Sequence, residues 1–182
     1  MIDAHGKITN GGVDGLLKDC DMPPVAEYSK KFDKARAAIK QGDFKTAQAE
    51  LAKLEKDTGA DGDNAKALDK WIEDHGAKRI AEGDAAREAG DVFGARDAYT
   101  EVQKTWSPKA ECVKTAKDKL TDLKNDKDCK KALGLEKTWA QAVACEESGD
   151  KASAAQLYEK CAKGAAGTKF ADLCEKKAKE NK

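Results

Sequence analysis

An all-α fold is predicted, built as antiparallel helical hairpins stacked in an array of about eight helices, with a short irregular or β-hairpin segment at the N-terminus. Three observations predict it. The chain of 182 residues is 40% hydrophobic but only 5% aromatic, and 37% of it is charged, with three prolines. That is the composition of helices rich in Ala, Lys, Glu and Asp; strands draw on β-branched and aromatic side chains. A Gly-Asp pair recurs at Gly42-Asp43, Gly90-Asp91 and Gly149-Asp150, each time between stretches of helical periodicity. Around each pair, equal offsets carry residues of the same kind.

Ten residues before the glycine stand Phe32, Ile80 and Trp139, and five before it stand Ala37, Ala85 and Ala144. Five after come Ala47, Ala95 and Ala154; nine after, Leu51, Tyr99 and Tyr158; twelve after, Leu54, Val102 and Cys161. A glycine ends one helix in the left-handed conformation, and the aspartate behind it caps the next, so one dipeptide makes a tight turn between antiparallel helices. The alanines five residues either side of the turn are expected to face each other where the helices are closest, with the larger residues filling the gap farther out.

Taken in order, helices are expected near residues 24 to 41, 44 to 57, 63 to 89, 92 to 105, 108 to 125, 128 to 148, 151 to 163 and 168 to 180. Pro24 suits a helix start; Ser107 before Pro108 reads as a cap followed by a first-turn proline, and Thr168 as the cap of the last helix. The long third helix carries Gly76 and Gly83, which either kink it or permit close packing. Residues 1–22 form a separate N-terminal segment and 23–182 the helical domain.

The stretches Gly42-Asp43-Phe44-Lys45-Thr46-Ala47 and Gly90-Asp91-Val92-Phe93-Gly94-Ala95 resemble the tetratricopeptide repeat, whose second helix begins with Gly-Asp, an aromatic and then an alanine. The likeness spans the three hairpins. The copies lie 48 and 59 residues apart, beyond a regular repeat of about 34, so extra helices must fill the difference. The resemblance implies a protein-binding array.

Before Pro23-Pro24 the chain changes character. Ile2-Asp3-Ala4-His5-Gly6-Lys7-Ile8 is similar to the closing strand pair of bacterial thioredoxin-like, TlpA-type thiol-disulfide oxidoreductases, with Val13 to Cys20 as the candidate terminal helix. Some members carry a helical, tetratricopeptide-like extension after the redox domain, which the remainder of this chain resembles in texture. The Cys-x-x-Cys motif is missing, so the resemblance carries over no catalytic residue, and Met1 need not be the true start.

Thirty-four basic and 34 acidic side chains cancel, so no summed field gathers nucleic acid or an anionic membrane. The lysines at 176, 177, 179 and 182 complement a helix dipole. No run of about 18 apolar residues suits a membrane span. As written, the chain reads as cytoplasmic; as part of a longer precursor it would be periplasmic or secreted.

Six cysteines, at 20, 112, 129, 145, 161 and 174, have neither the spacing nor the histidines of a zinc site. A hairpin folded at residues 164 to 167 brings Cys161 opposite Cys174, the first candidate for a disulfide, and folding 108–125 on 128–148 brings Cys112 near Cys145, a weaker one. The alternative is that these cysteines pack as small apolar residues, Cys161 standing where Leu54 and Val102 stand. Cys129, at a helix start without a partner, is expected to be exposed. The acidic loop Asp57, Asp61, Asp63 lacks the ligands a calcium loop needs at Gly59 and Leu68 and reads as a solvated turn. His75 reads as a surface histidine, and Trp71, Trp106 and Trp139 as core or groove-lining residues. No catalytic residue, cofactor site or metal site is expected. The function expected is a non-catalytic protein- or peptide-binding scaffold, the alternatives being the accessory region of a thioredoxin-like enzyme and a self-associating structural protein.

Overall fold

The computed structural model describes residues 29–182, in which every regular element is helical. The expected strand pair at residues 2–8, the helix start at Pro24 and Cys20 lie outside the described residues. A 3-10 turn, Lys30–Phe32, leads into nine α-helices among the described residues: α1 Asp33–Lys40, α2 Phe44–Leu54, α3 Ala60–Glu88, α4 Val92–Thr105, α5 Glu111–Asn125, α6 Lys127–Leu133, α7 Glu136–Glu147, α8 Lys151–Gly164 and α9 Lys169–Glu180. None is long and apolar enough to cross a membrane. The chain divides into two compact units, the first running to Lys78 and taking in Val102–Lys114, the second comprising Arg79–Glu101 and Thr115–Lys182.

All three Gly-Asp pairs sit at bends of one design. Gly42, Gly90 and Gly149 have φ of 73°, 87° and 81°, the left-handed region that a side chain resists. Their N–H groups donate to the carbonyls three residues back, Ile39, Arg87 and Glu146, at 2.9, 3.0 and 3.1 Å. The N–H groups of Asp43, Asp91 and Asp150 reach five residues back, to Ala38, Ala86 and Cys145, at 2.9, 2.8 and 2.9 Å. These two bonds satisfy carbonyls that a helix end would otherwise leave bare. Each aspartate then accepts the N–H three residues on, from Thr46, Gly94 and Ser153, at 3.0, 2.8 and 3.1 Å. Hydrogen bonds from Thr46 and from Ser153 hold the Asp43 and Asp150 carboxyls below their usual range.

Burial settles which residues line each hairpin. Ala47, Ala95 and Ala154, five after the glycine, are fully buried, as are Leu51, Tyr99 and Tyr158. Ala37, Ala85 and Ala144, five before it, are exposed, contrary to expectation. The small residues that meet the second helix lie seven before: Ala35, Gly83 and Ala142. Positions three apart share a helix face while positions two apart do not, so seven-before joins the apolar ten-before and excludes five-before. At Gly83 a Cβ would press into the Tyr99 ring, so close packing is what this glycine serves.

In the first unit α1 and α2 pack as a hairpin. The buried amide of Gln48 donates to Asp69 Oδ1 at 3.0 Å and accepts the Ser107 N–H at 3.0 Å. Ser107-Pro108 does not start a helix. α5 begins at Glu111, and Glu73 of α3 caps it by accepting the N–H groups of Glu111 and Cys112, both at 3.2 Å. Trp106 is buried with its Nε1 donating to the Ile72 carbonyl at 2.9 Å. Trp71 lies against His75 with 4.0 Å between centroids and the ring planes tilted by 40°. His75 Nδ1 lies 3.1 Å from the Trp71 carbonyl, which places this ring, half-buried, within an aromatic group that includes Phe44. Lys31 lies between Asp57 and Asp61, at 2.8 and 3.1 Å, and supplies the positive charge that the acidic loop faces.

The second unit holds α7, α8 and α9, with α8 packed on both neighbours. Ala142, Ala154, Tyr158 and Ala178 form its buried centre, against which Trp139 and Cys145 pack. Trp139 also meets Phe93 and Phe170 at 5.8 and 5.2 Å between centroids. The helix expected over 128 to 148 is broken after Leu133: the Leu135 N–H bonds to the Ala132 carbonyl, three residues back, at 2.8 Å, and Leu135 packs where Gly164 has no side chain. Gly134 favours such a tightening because glycine holds a helix weakly.

Candidate functional site

A cleft of about 490 Å³ opens in the second unit where helix ends converge. The end of α3 supplies Asp84, Arg87 and Glu88, the turn and start of α4 supply Gly90 and Val92, and α5 supplies Lys119. Asp126, Asp128 and Cys129 come from the start of α6, and Thr168, Lys169 and Phe170 from that of α9. Gly90 is essential to this convergence: a Cβ there would run into the Lys169 carbonyl, so only glycine lets the turn lie against the α9 start. At the other two turns a Cβ would meet nothing within 4 Å.

The floor is apolar, since Val92, Phe170 and Cys129 are buried. The walls are charged and largely paired. Asp84 accepts from Tyr99 Oη at 2.6 Å and from Lys119 Nζ, whose nearest approach is 2.8 Å. Partial burial works to raise the Asp84 carboxyl, but the bonds from Lys119 and Tyr99 outweigh it and hold it below the usual carboxylate range. Asp126 caps α6, accepting the N–H groups of Asp128 and Cys129 at 3.0 and 2.8 Å, and lies 3.4 Å from Arg87. The N–H of Cys129 is the main influence holding its carboxyl low. Thr168, also buried, accepts the Ala171 N–H at 3.2 Å and caps α9. The charges left outside these pairs, Glu88, Asp128 and Lys169, are all exposed on the rim.

Burial, followed by the neighbouring Asp126 carboxylate, pushes the Cys129 thiol up despite Arg87, so it stays protonated at neutral pH. Cys129 is therefore not the exposed helix-start cysteine expected from the sequence: it is the third residue of α6 and its side chain turns inward. Tyr99 is likewise raised by burial and by Asp84, which keeps its proton. The cleft thus combines an apolar floor with rim charges of both signs.

The other residues singled out from the sequence fall elsewhere. Gly42 and Asp43 form the turn of the first unit, Gly149 and Asp150 that of the last hairpin, while Gly90 borders the cleft. Cys112, Cys145, Cys161 and Cys174 are free thiols. Cys112 lies against Gly76, and burial together with Glu73 pushes it up to about 12. Cys145 packs beside the Ala142 cluster. Cys161 and Cys174 are buried in the facing helices α8 and α9. Among the described residues no group of three or more His, Cys, Asp or Glu side chains is placed to hold a metal ion.

Sequence reasoning did not find the cleft's charged walls. Asp84, Arg87, Lys119 and Lys169 look like any solvated helix face in a chain that is 37% charged. Of these wall residues Asp126 was also missed, although an acidic residue just before a helix start is a local capping signal that could have marked it. Comparison with protein-family models, with curated proteins and with solved structures found no match to this chain.

Proposed function

We propose that the chain is a non-catalytic protein-interaction or scaffold module built from tetratricopeptide-like helical hairpins, and that the second-unit cleft receives a peptide segment of a partner. The observation that carries this reading is the Gly-Asp hairpin repeated three times with the same backbone bonds, the same aspartate cap and the same buried small residues. Repeated hairpins each bury little alone but present continuous surface for recognition. The polar groups of the cleft support a binding role over chemistry: its thiol is protonated and its two inner carboxylates are engaged by cations and N–H groups.

The outer face of α9 bears on self-association. Asp172, Glu175, Lys176, Lys179 and Glu180 are all exposed there, a charged surface that disfavours close packing on a second copy. The proposal is therefore for a partner of different sequence.

A displayed peptide library panned on the full chain tests this. Selected peptides should share an apolar anchor flanked by charges, bind with about micromolar Kd, and lose roughly tenfold or more in affinity on charge reversal at the exposed rim, in Lys169→Glu or Glu88→Lys. Failure to enrich any sequence family, or binding indifferent to both reversals, would reject the cleft as the recognition site.

A further inference from the structure

We propose that Cys161 and Cys174 constitute a dithiol redox site, in which two-electron oxidation by a small-molecule disulfide joins the two sulfurs and staples α8 to α9. Helix α8 ends at Gly164 and α9 begins at Lys169, and the two pack against each other. Cys161 stands three residues before that end and Cys174 five after that start. At a rise of about 1.5 Å per residue, the two lie about 4.5 and 7.5 Å along their helices from the turn. Side chains lean toward the N-terminus of their helix. In α8 that lean points away from the turn and in α9 toward it, so the two side chains incline to a common level. Both are 0% exposed, which directs them into the interface. The neighbouring Cys161 thiol together with burial raises Cys174 well above the usual thiol range, while Cys174 lowers Cys161, leaving Cys161 to ionise first.

The exchange balances with an external disulfide as oxidant. The Cys161 thiolate attacks one sulfur of the disulfide, whose S–S bond breaks to release one thiolate. The released thiolate is protonated at the expense of Cys174. The Cys174 sulfur then attacks the Cys161 sulfur of the mixed disulfide and expels the second thiolate, which takes its proton from solvent. Two protein thiols are oxidised and one small disulfide is reduced to two thiols. Because both sulfurs are sealed from solvent, exchange requires α9, the last helix, to lift locally.

The experiment uses the full chain, reduced, incubated with excess glutathione disulfide in buffer and in mild urea, then acid-quenched, alkylated and mapped by mass spectrometry. One cross-linked peptide pair holding Cys161 and Cys174 is expected, formed faster in mild urea, with no cross-link among Cys112, Cys129 and Cys145. The oxidised protein should melt on the order of 5–10 °C higher, because the link closes a loop of about 14 residues. In Cys161→Ala and in Cys174→Ala the remaining thiol should accumulate a mixed disulfide with glutathione that resolves no further. Full alkylation of both cysteines in mild urea after hours of oxidant overturns the proposal. So does a stable mixed disulfide at either site in the unmutated chain, or an oxidised form that melts lower.

Discussion

Tyr158 of α8 donates its hydroxyl to Glu146 of α7 at 2.6 Å, across the last hairpin, and the same carboxylate accepts from Lys177 and Asn181 of the C-terminal end at 3.2 Å each. Tyr99, at the same offset from its own glycine, donates to Asp84 of α3 at 2.6 Å, and Lys119 of α5 completes that group. Each of these tyrosines buries its ring between two helices and gathers a third through a carboxylate. Removing the hydroxyl alone isolates the bond from the packing. Tyr158→Phe is expected to cost about 1.5–3 kcal/mol, the range for a hydrogen bond to a charged group, read from the urea midpoint. An unchanged midpoint would show that solvent serves Glu146 equally well.

These carboxylates also set the acid response. Partial burial works to raise Glu146, but bonds from Tyr158, Asn181 and Lys177 outweigh it, and the net shift is downward, as for Asp84. A carboxyl lower in the folded than in the unfolded chain stabilises the fold above the unfolded value and loses that contribution as pH falls through the folded one. Melting temperature should therefore fall as pH drops below the ordinary glutamate value of 4.5. In Glu146→Gln this fall should be shallower. Parallel curves for the two proteins would contradict the assignment.

The hairpin register gives a paired test. Ala142 is fully buried against Ala154, Tyr158 and Ala178, whereas Ala144, two residues on, is exposed. Ala142→Leu should overpack the hairpin and cost about 1–3 kcal/mol, while Ala144→Leu should stay within about 0.5 kcal/mol. Equal costs, by chemical denaturation, would mean that the two helices meet along a different face.

The three turn glycines should differ in tolerance. Gly42→Ala and Gly149→Ala place a Cβ in open space, so each should cost only the left-handed conformation, about 1–2 kcal/mol. Gly90→Ala adds a collision with the Lys169 carbonyl and should cost at least about 1 kcal/mol more, and it should also weaken peptide binding at the cleft. The measurement is the denaturation midpoint of the three variants side by side. Equal losses would show that α9 moves aside freely.

The helices and turns were legible because their causes are local. A glycine free to adopt positive φ, an aspartate three residues before an open N–H and apolar residues recurring at helical spacing lie within a few positions of one another, and their backbone bonds form wherever that string occurs. The break at Gly134 was less so, because a single glycine is compatible with a continuing helix, and the bend also serves Leu135, which packs at Gly164, about thirty residues away. The cap of α5 was misplaced for the same reason: Ser107 offers a local signal, yet Glu73 of another helix takes the N–H groups.

By itself, then, the amino-acid order determined the helical class, the three bends and the small residues that follow each of them. Tertiary structure alone decided that Ala35, Gly83 and Ala142, not the alanines two residues on, meet the second helix. It also decided that Cys129 turns inward and that Arg87, Lys119, Asp126 and Lys169 converge on one cleft. Backbone hydrogen bonding and capping act over about four residues and are written in the chain, whereas the partner of a charged side chain 40 residues distant depends on how helix axes cross, which packing fixes only when the whole unit has folded.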